Sequence, residues 1–254
     1  MITLGKALET RDGEIVAFVG AGGKTTAMFR LADELLAGGA RPVVTTTTRI
    51  LPPDEGAKRR ILIDADRSSL VVAVARAVAD GAIPVAVVAT TPEGKLAGVP
   101  PEWVDDLARA PGATHVLVEA DGAARRPFKA PRDGEPVIPA ATTLVVAVVG
   151  VDALGHPVSA VAHRPERVAA LTGLAPEGVL DARSIARVML DERGVMKGAP
   201  GTARRVLIVN KADGAERLRD ARMLARELLA QGATRVIVAA LGRAGGVIEV
   251  SGRS

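Results

Sequence analysis

The sequence predicts an α/β fold: a doubly wound, mostly parallel sheet in a single domain spanning residues 1–254. Three observations carry this expectation. Short β-branched runs alternate along the chain with Ala/Leu/Arg-rich amphipathic stretches, the order that crossover helices on a parallel sheet require. Several runs, such as "LVVAVVG", are continuously apolar instead of alternating, as in strands buried on both faces. Apolar residues make up 48% of the chain, enough for a large core, and aromatics only 2%, so that core is built from Ala, Val and Leu.

Taken in order, a strand over 14–19 runs through a Gly-rich turn into a helix over 23–37. Strands follow at 41–46 and 60–64, a helix at 67–80, a strand at 83–89, a helix at 101–110 and a strand at 114–120. The next stretch, "DGAARRPFKAPRDGEPVIPA" (121–140), is rich in Pro and charge. It sits directly after a strand end, where loops of an open α/β sheet line the ligand crevice, and reads as an active-site loop. A strand at 143–150, helices at 164–171 and 181–190, and a strand at 204–210 come next. The last helix, 214–230, has Asp213 and Gly214 at its start and Gly232 past its end, and a final strand occupies 234–240.

Composition excludes several classes. The net charge is +4, but the basic residues are scattered without a block of like charge, and the chain has one Trp and no Tyr. Stacking platforms for single-stranded nucleic acid are therefore not expected. With no cysteine, there are no disulfides, thiolate metal sites or cysteine nucleophile. The start "MITLGKALETRDGE" lacks an apolar signal core, and the longest apolar run, "LVVAVVGV", is far below the ~20 residues that span a bilayer. A cytoplasmic protein without membrane contact is expected.

The densest signal is "VGAGGKTT", placed between a strand and a helix. Gly20, Gly22 and Gly23 permit positive φ and let the N–H groups of Gly20–Thr26, Ala21 included, turn inward. Together with the helix N-terminus they can cradle phosphates. A packing turn has no need of Lys24 just inside a helix start, where the dipole disfavours a cation. Lys24 is instead expected on the β- and γ-phosphates of a nucleoside triphosphate, with the Thr25 hydroxyl on Mg²⁺ and Thr26 beside it. The spacing GxxGKT is shorter than the usual GxxxxGKS/T and resembles the loops of some ligase-type ATPases. The loop alone does not choose the base.

Two further motifs follow in order. "VLIVNKAD" resembles the NKxD signature of GTP-binding proteins. A carboxylate at Asp213 would accept from guanine N1–H and the exocyclic amine, a donor pair adenine lacks. The Lys211 stem would lie along the base and Asn210 would tie the base loop to the phosphate loop. Ala239 or Ala240 could offer a backbone N–H to the base oxygen. Asp213 could also merely cap the following helix. Between the two motifs, "HVLVEADGA" contains Glu119-x-x-Gly122, which resembles the ExxG form of the signal-recognition and metal-insertion GTPase class. By that resemblance Glu119 orders Mg²⁺ and the Gly122 N–H faces the γ-phosphate. Asp121 is an extra acid: a second metal ligand, a base for the attacking water, or a turn cap. In "VVTTTTRI", Thr47 and Thr48 are candidates to sense the nucleotide, although a Thr run also suits a strand.

The pieces "VGAGGKTT", "TTTTRI", "EADGAARRPFKAPRDGEPVIP", "GVDALGHPV", "HRPERVAALTG" and "NKAD" cover nearly the whole chain in one order. With them the chain resembles the selenium-dependent hydroxylase accessory protein family, the YqeC type. The resemblance implies a P-loop NTPase fold and a role in maturing selenium-dependent molybdenum hydroxylases. It also directs attention to Arg125, Arg126 and Lys129, expected to pair with phosphates or an acidic cofactor, and to Glu135, Asp152, His163 and Arg164. His115, His156 and His163 are expected to make local hydrogen bonds, because no pairing suits a transition metal. Expected ligands are thus GTP, with ATP the alternative, and Mg²⁺. Expected partners are a client metalloenzyme or molybdenum-cofactor protein, with a homodimer left open. An ATP-dependent kinase or ligase acting on a small acidic substrate, and a nucleotide-gated scaffold, are the rival readings.

Overall fold

The structure is a computed structural model that describes residues 2–53, 58–242 and 245–252. Its main sheet contains β1 (Glu14–Gly20), β2 (Pro42–Thr46), β3 (Arg59–Ile63), β4 (Ile83–Val87) and β5 (His115–Glu119). It continues with β6 (Leu144–Gly150), β7 (Arg204–Asn210), β8 (Arg235–Ala239) and β9 (Val247–Gly252). The nine strands are ordered β9-β8-β7-β6-β1-β5-β2-β4-β3, and every neighbouring pair is parallel except β8 with β9.

Alternation along β1 sets the layers, because successive side chains point to opposite faces. Val16 and Phe18 join one apolar cluster with Leu4 and Leu8 of α1 (Leu4–Leu8) and Met28 and Leu31 of α2 (Lys24–Ala37). Ile15 faces the other side, with α3 (Arg67–Ala79) and α4 (Val104–Ala108). Ala17 and Val19 share that side with residues of α5 (Val158–Val161), α6 (Pro165–Thr172), α7 (Ala182–Leu190) and α8 (Ala215–Ala230). Covered on both faces, β1 and β6 are buried at all seven positions, which is why their sequences carry no polar alternation.

Register then aligns the strand ends. Phe18 lies opposite Glu119, Gly20 opposite Val148, and Gly150 opposite Asn210. The turn after β1, the end of β5 and the end of β7 therefore meet at one edge of the sheet, and the three motifs with them.

The expected strands and helices are present within one or two residues, with one exception: the helix expected over 101–110 is a 3₁₀ turn, Pro101–Trp103, followed by the five-residue α4. Sequence reading misses the short helices α1 and α5 and the half-exposed edge strand β9. It also misses two satellite pairings: Arg49–Ile50 with Leu96–Ala97 and Ala89–Thr90, and Phe128–Lys129 with Ala162–His163. Among the described residues no helix is long and apolar enough to cross a membrane.

Candidate functional site

A cleft of about 680 Å³ opens where β1, β5 and β7 end. The phosphate loop forms its floor. Gly22 packs so closely on the next strand that a Cβ there would lie 2.2 Å from the Gly150 nitrogen, and at Gly23 2.3 Å from Asn210 Nδ2. Both have positive φ, so glycine is required on two counts.

The loop's first three N–H groups are used internally: Gly20 donates to Asp121 Oδ2 (3.0 Å), Ala21 to Val148 O (2.9 Å) and Gly22 to Arg126 O (3.2 Å). The next four, on Gly23, Lys24, Thr25 and Thr26, have no acceptor among the described residues, and no side chain caps α2. A 14-residue helix thus presents its uncapped N-terminus to the cleft.

Lys24 is 4% exposed. Its Nζ donates to Gly20 O at 2.7 Å and lies 3.1 Å from Asp121 and 3.8 Å from Glu119. Burial alone would depress its proton affinity, but the Asp121 and Glu119 carboxylates outweigh that and hold it above the ordinary lysine value. Thr25 Oγ1 donates to Glu119 Oε2 at 2.6 Å. Burial pushes Glu119 above the ordinary carboxylate value, against the opposing pull of Lys24 and Thr25. A carboxylate and a hydroxyl side by side, next to open phosphate donors, are the oxygen ligands that suit Mg²⁺.

Asp121 lies elsewhere than a metal ligand would. It is fully buried behind the loop, with Oδ2 2.9 Å from Lys129 Nζ and bonded to the Gly20 N–H. Its Oδ1 has no well-directed hydrogen bond and faces Lys24. Neither capping a turn nor open to the cleft, it is the counter-ion between two buried lysines. Lys129, expected to meet phosphates, is 1% exposed and bonds Gly122 O (2.6 Å) and Glu135 (3.3 Å) as well. Glu135 in turn receives both guanidinium nitrogens of Arg164, at 2.7 and 3.0 Å, and Nε of Arg132 at 2.9 Å. Burial would raise the Glu135 carboxyl, but Arg164 and Lys129 overcome it and hold it below the ordinary range. His163, beside this network, is depressed by burial and by Arg164 and Lys129. A chain of charges therefore runs from Lys24 through Asp121, Lys129 and Glu135 to Arg164, and joins the 121–140 loop to the segment before α6.

The third motif is joined to the first. Asn210 Nδ2 donates to Gly22 O at 2.9 Å, and Asn210 Oδ1 accepts from the Leu241 N–H at 2.9 Å. Lys211 lines the cleft and pairs with Asp152 at 2.7 Å. Asp213 is exposed and does not cap α8, whose N-cap is Gly214 without a side-chain bond. Two expectations fail here. The Ala240 N–H is donated to Gly246 O at 2.9 Å, so it is not open to a base; Ala239 is the last residue of β8. The Thr47 hydroxyl is donated to Val137 O (2.7 Å), and the Thr48 N–H to Thr46 Oγ1 (3.1 Å), so these threonines fasten the 121–140 loop and the end of β2 instead of facing the cleft.

Gly122, Arg125 and Arg126 do line the cleft, although an Arg126 guanidinium nitrogen is bonded to Ala160 O. Ala124, Arg125 and Lys211, all in the lining, have left-handed φ of 46°, 60° and 65°. Such backbone in non-glycine residues is uncommon and gathers at functional sites. Arg49, Leu51 and Lys95, which no sequence motif marks as site residues, also line the cleft. The lining's cations are Lys24, Arg49, Lys95, Arg125, Arg126 and Lys211, against the single acid Glu119, so the cleft selects anions.

Comparison with known proteins agrees in extent with the motifs. A family model described as YqeC protein matches residues 16–166, the stretch from β1 through the 121–140 loop to the start of α6. A relative from Escherichia coli (strain K12), named "Uncharacterized protein YqeC", is 34% identical over 209 residues, covering 78% of this chain and 75% of its own length.

Proposed function

The chain belongs to the YqeC family, and from that premise we propose that it is a Mg²⁺-dependent GTP-binding protein. In this reading it hydrolyses GTP slowly as an accessory factor in maturing a selenium-dependent molybdenum hydroxylase. The observation that carries the nucleotide reading is the floor of the cleft: four open N–H groups at the start of α2 beside Lys24 and the Thr25–Glu119 pair. The N–H groups and Lys24 would hold the triphosphate, while Asp121 keeps Lys24 charged. Thr25 and Glu119 would hold Mg²⁺, which when bound supplies charge neutralisation for the transferring phosphoryl group. Gly122 would offer its N–H to the terminal phosphate.

The preference for guanine rests on Asp213, exposed beside Lys211 and free of a capping role. The test is competition binding of GTP, XTP and ATP at one Mg²⁺ concentration. Asp213→Asn should exchange GTP for XTP preference, because the new amide can donate to the oxygen that replaces the guanine amine. Discrimination of about 10⁴ is typical where a polar site loses its partner. A parent that prefers ATP promotes the second reading, a kinase or ligase acting on a small acidic substrate, which the Arg49 and Lys95 cations of the cleft lining favour. Lys24→Ala should abolish triphosphate binding with the fold intact. Unchanged affinity would remove the phosphate-loop assignment itself.

A further inference from the structure

The geometry points to a second anion subsite in the same cleft, on the wall that contains Arg49, Leu51 and Lys95, for a small organic anion bound alongside the triphosphate. The wall is the antiparallel pair Arg49–Ile50 with Leu96–Ala97. Ile50 faces Leu96 across it, and both are buried. Strand alternation then places Arg49, Leu51, Lys95 and Ala97 on the other face, with Leu51 continuing the register opposite Lys95. Arg49, Leu51 and Lys95 line the cleft, and Leu51 is 44% exposed. Two cations flanking an uncovered leucine match a ligand with a charged phosphate or carboxylate and an apolar body.

The triphosphate does not account for this wall. Its expected donors are the α2 N-terminus and Lys24, and its metal ligands Thr25 and Glu119, all on the floor. Arg125, which also lines the cleft, is held in left-handed backbone and makes no side-chain hydrogen bond or ion pair among the described residues, so it adds a further cation for such an anion.

The subsite rests on the floor being the triphosphate's seat, and the experiment separates the two claims. Phenyl phosphate, benzoate and inorganic phosphate are titrated by calorimetry into the full chain, free and saturated with Mg²⁺ and a non-hydrolysable GTP analogue. Phenyl phosphate should bind both forms, more tightly than inorganic phosphate, with affinity falling as salt rises. Arg49→Gln and Lys95→Gln should each weaken it about tenfold, the scale of one charge-assisted bond, and leave analogue affinity within about twofold. Lys24→Ala should abolish analogue binding and leave phenyl phosphate binding in place. Competition between phenyl phosphate and the analogue, an equal loss of analogue affinity in Arg49→Gln, or no binding of any probe overturns the subsite. Loss of the Lys24 effect alone overturns only the triphosphate seat.

Discussion

Asp121→Asn interrogates the electrostatic frame beneath the phosphate loop. Asp121 is 0% exposed and stands 3.1 Å from the Lys24 ammonium and 2.9 Å from that of Lys129. The amide preserves shape and can still accept the Gly20 N–H, but it removes the charge. Lys24 keeps only Glu119 at 3.8 Å, and Lys129 keeps Glu135 at 3.3 Å. Removing one partner of a buried ion pair typically costs about 3–5 kcal/mol. The remaining carboxylates place this substitution near about 3 kcal/mol, a large share of the 5–15 kcal/mol or so that holds a domain together. A second signature is in binding. In the parent, Asp121 is the strongest influence keeping Lys24 charged against burial. A folded-state lysine above its ordinary value contributes stability in full below that value and loses it as pH rises through the folded value. Without Asp121, burial is less opposed and the proton leaves at lower pH. Triphosphate affinity of the variant should therefore decline on the alkaline side, where the parent is flat. Urea unfolding measures the first effect and nucleotide titration at several pH values the second. A variant with parental unfolding midpoint and parental pH profile would refute the counter-ion role.

Three further outcomes follow from named contacts. Asn210→Ala strands the buried Leu241 N–H and the Gly22 carbonyl, so unfolding free energy should drop by about 2–4 kcal/mol in urea titration, with weaker triphosphate binding. Glu119→Gln keeps shape while removing the carboxylate beside Thr25, so nucleotide should still bind while phosphate release slows by about 10²–10⁴. Glu135 has a folded value below its ordinary 4.5, so its contribution is full above 4.5 and is lost as pH falls through the lower folded value. Glu135→Gln should accordingly lower the melting temperature at neutral pH and flatten its acid limb.

The fold was legible because burial on both faces leaves a local trace. β1 and β6 carry long unbroken apolar runs, and the longer helices α2 and α8 have their own amphipathic runs. α1 and α5, of five and four residues, are too short for a period to show, and β9 is half-exposed. In the site, the glycine requirement at 22 and 23 and the Asn210 tie to the phosphate loop are legible because both belong to recognisable motifs, even though the tie spans distant parts of the chain. Partners that lie outside any motif leave no such trace. Asp121 looks like a catalytic acid until Lys129 and Lys24 are seen on either side of it, and Lys129 looks like a surface cation until Glu135 and Arg164 cover it. Ala240 was misassigned because its N–H depends on the return of the chain at Gly246. Arg49 and Lys95 were overlooked because they share a face only through a pairing of segments some 45 residues apart.

The left-handed backbone at Ala124, Arg125 and Lys211 constrains how this protein can be improved. A glycine at any of the three would relax the backbone, and a non-glycine residue in sparsely populated φ/ψ space stores about 1–3 kcal/mol. Yet two of the three are cations of the cleft, so relaxation there removes the charge that gathers anions. A screen for heat resistance alone would enrich glycine at 125 and 211 and return hardier proteins with emptier clefts, the usual exchange of activity for stability. At 124, where alanine contributes no charge, the same change carries no such loss, and the first stabilising substitution should be sought there.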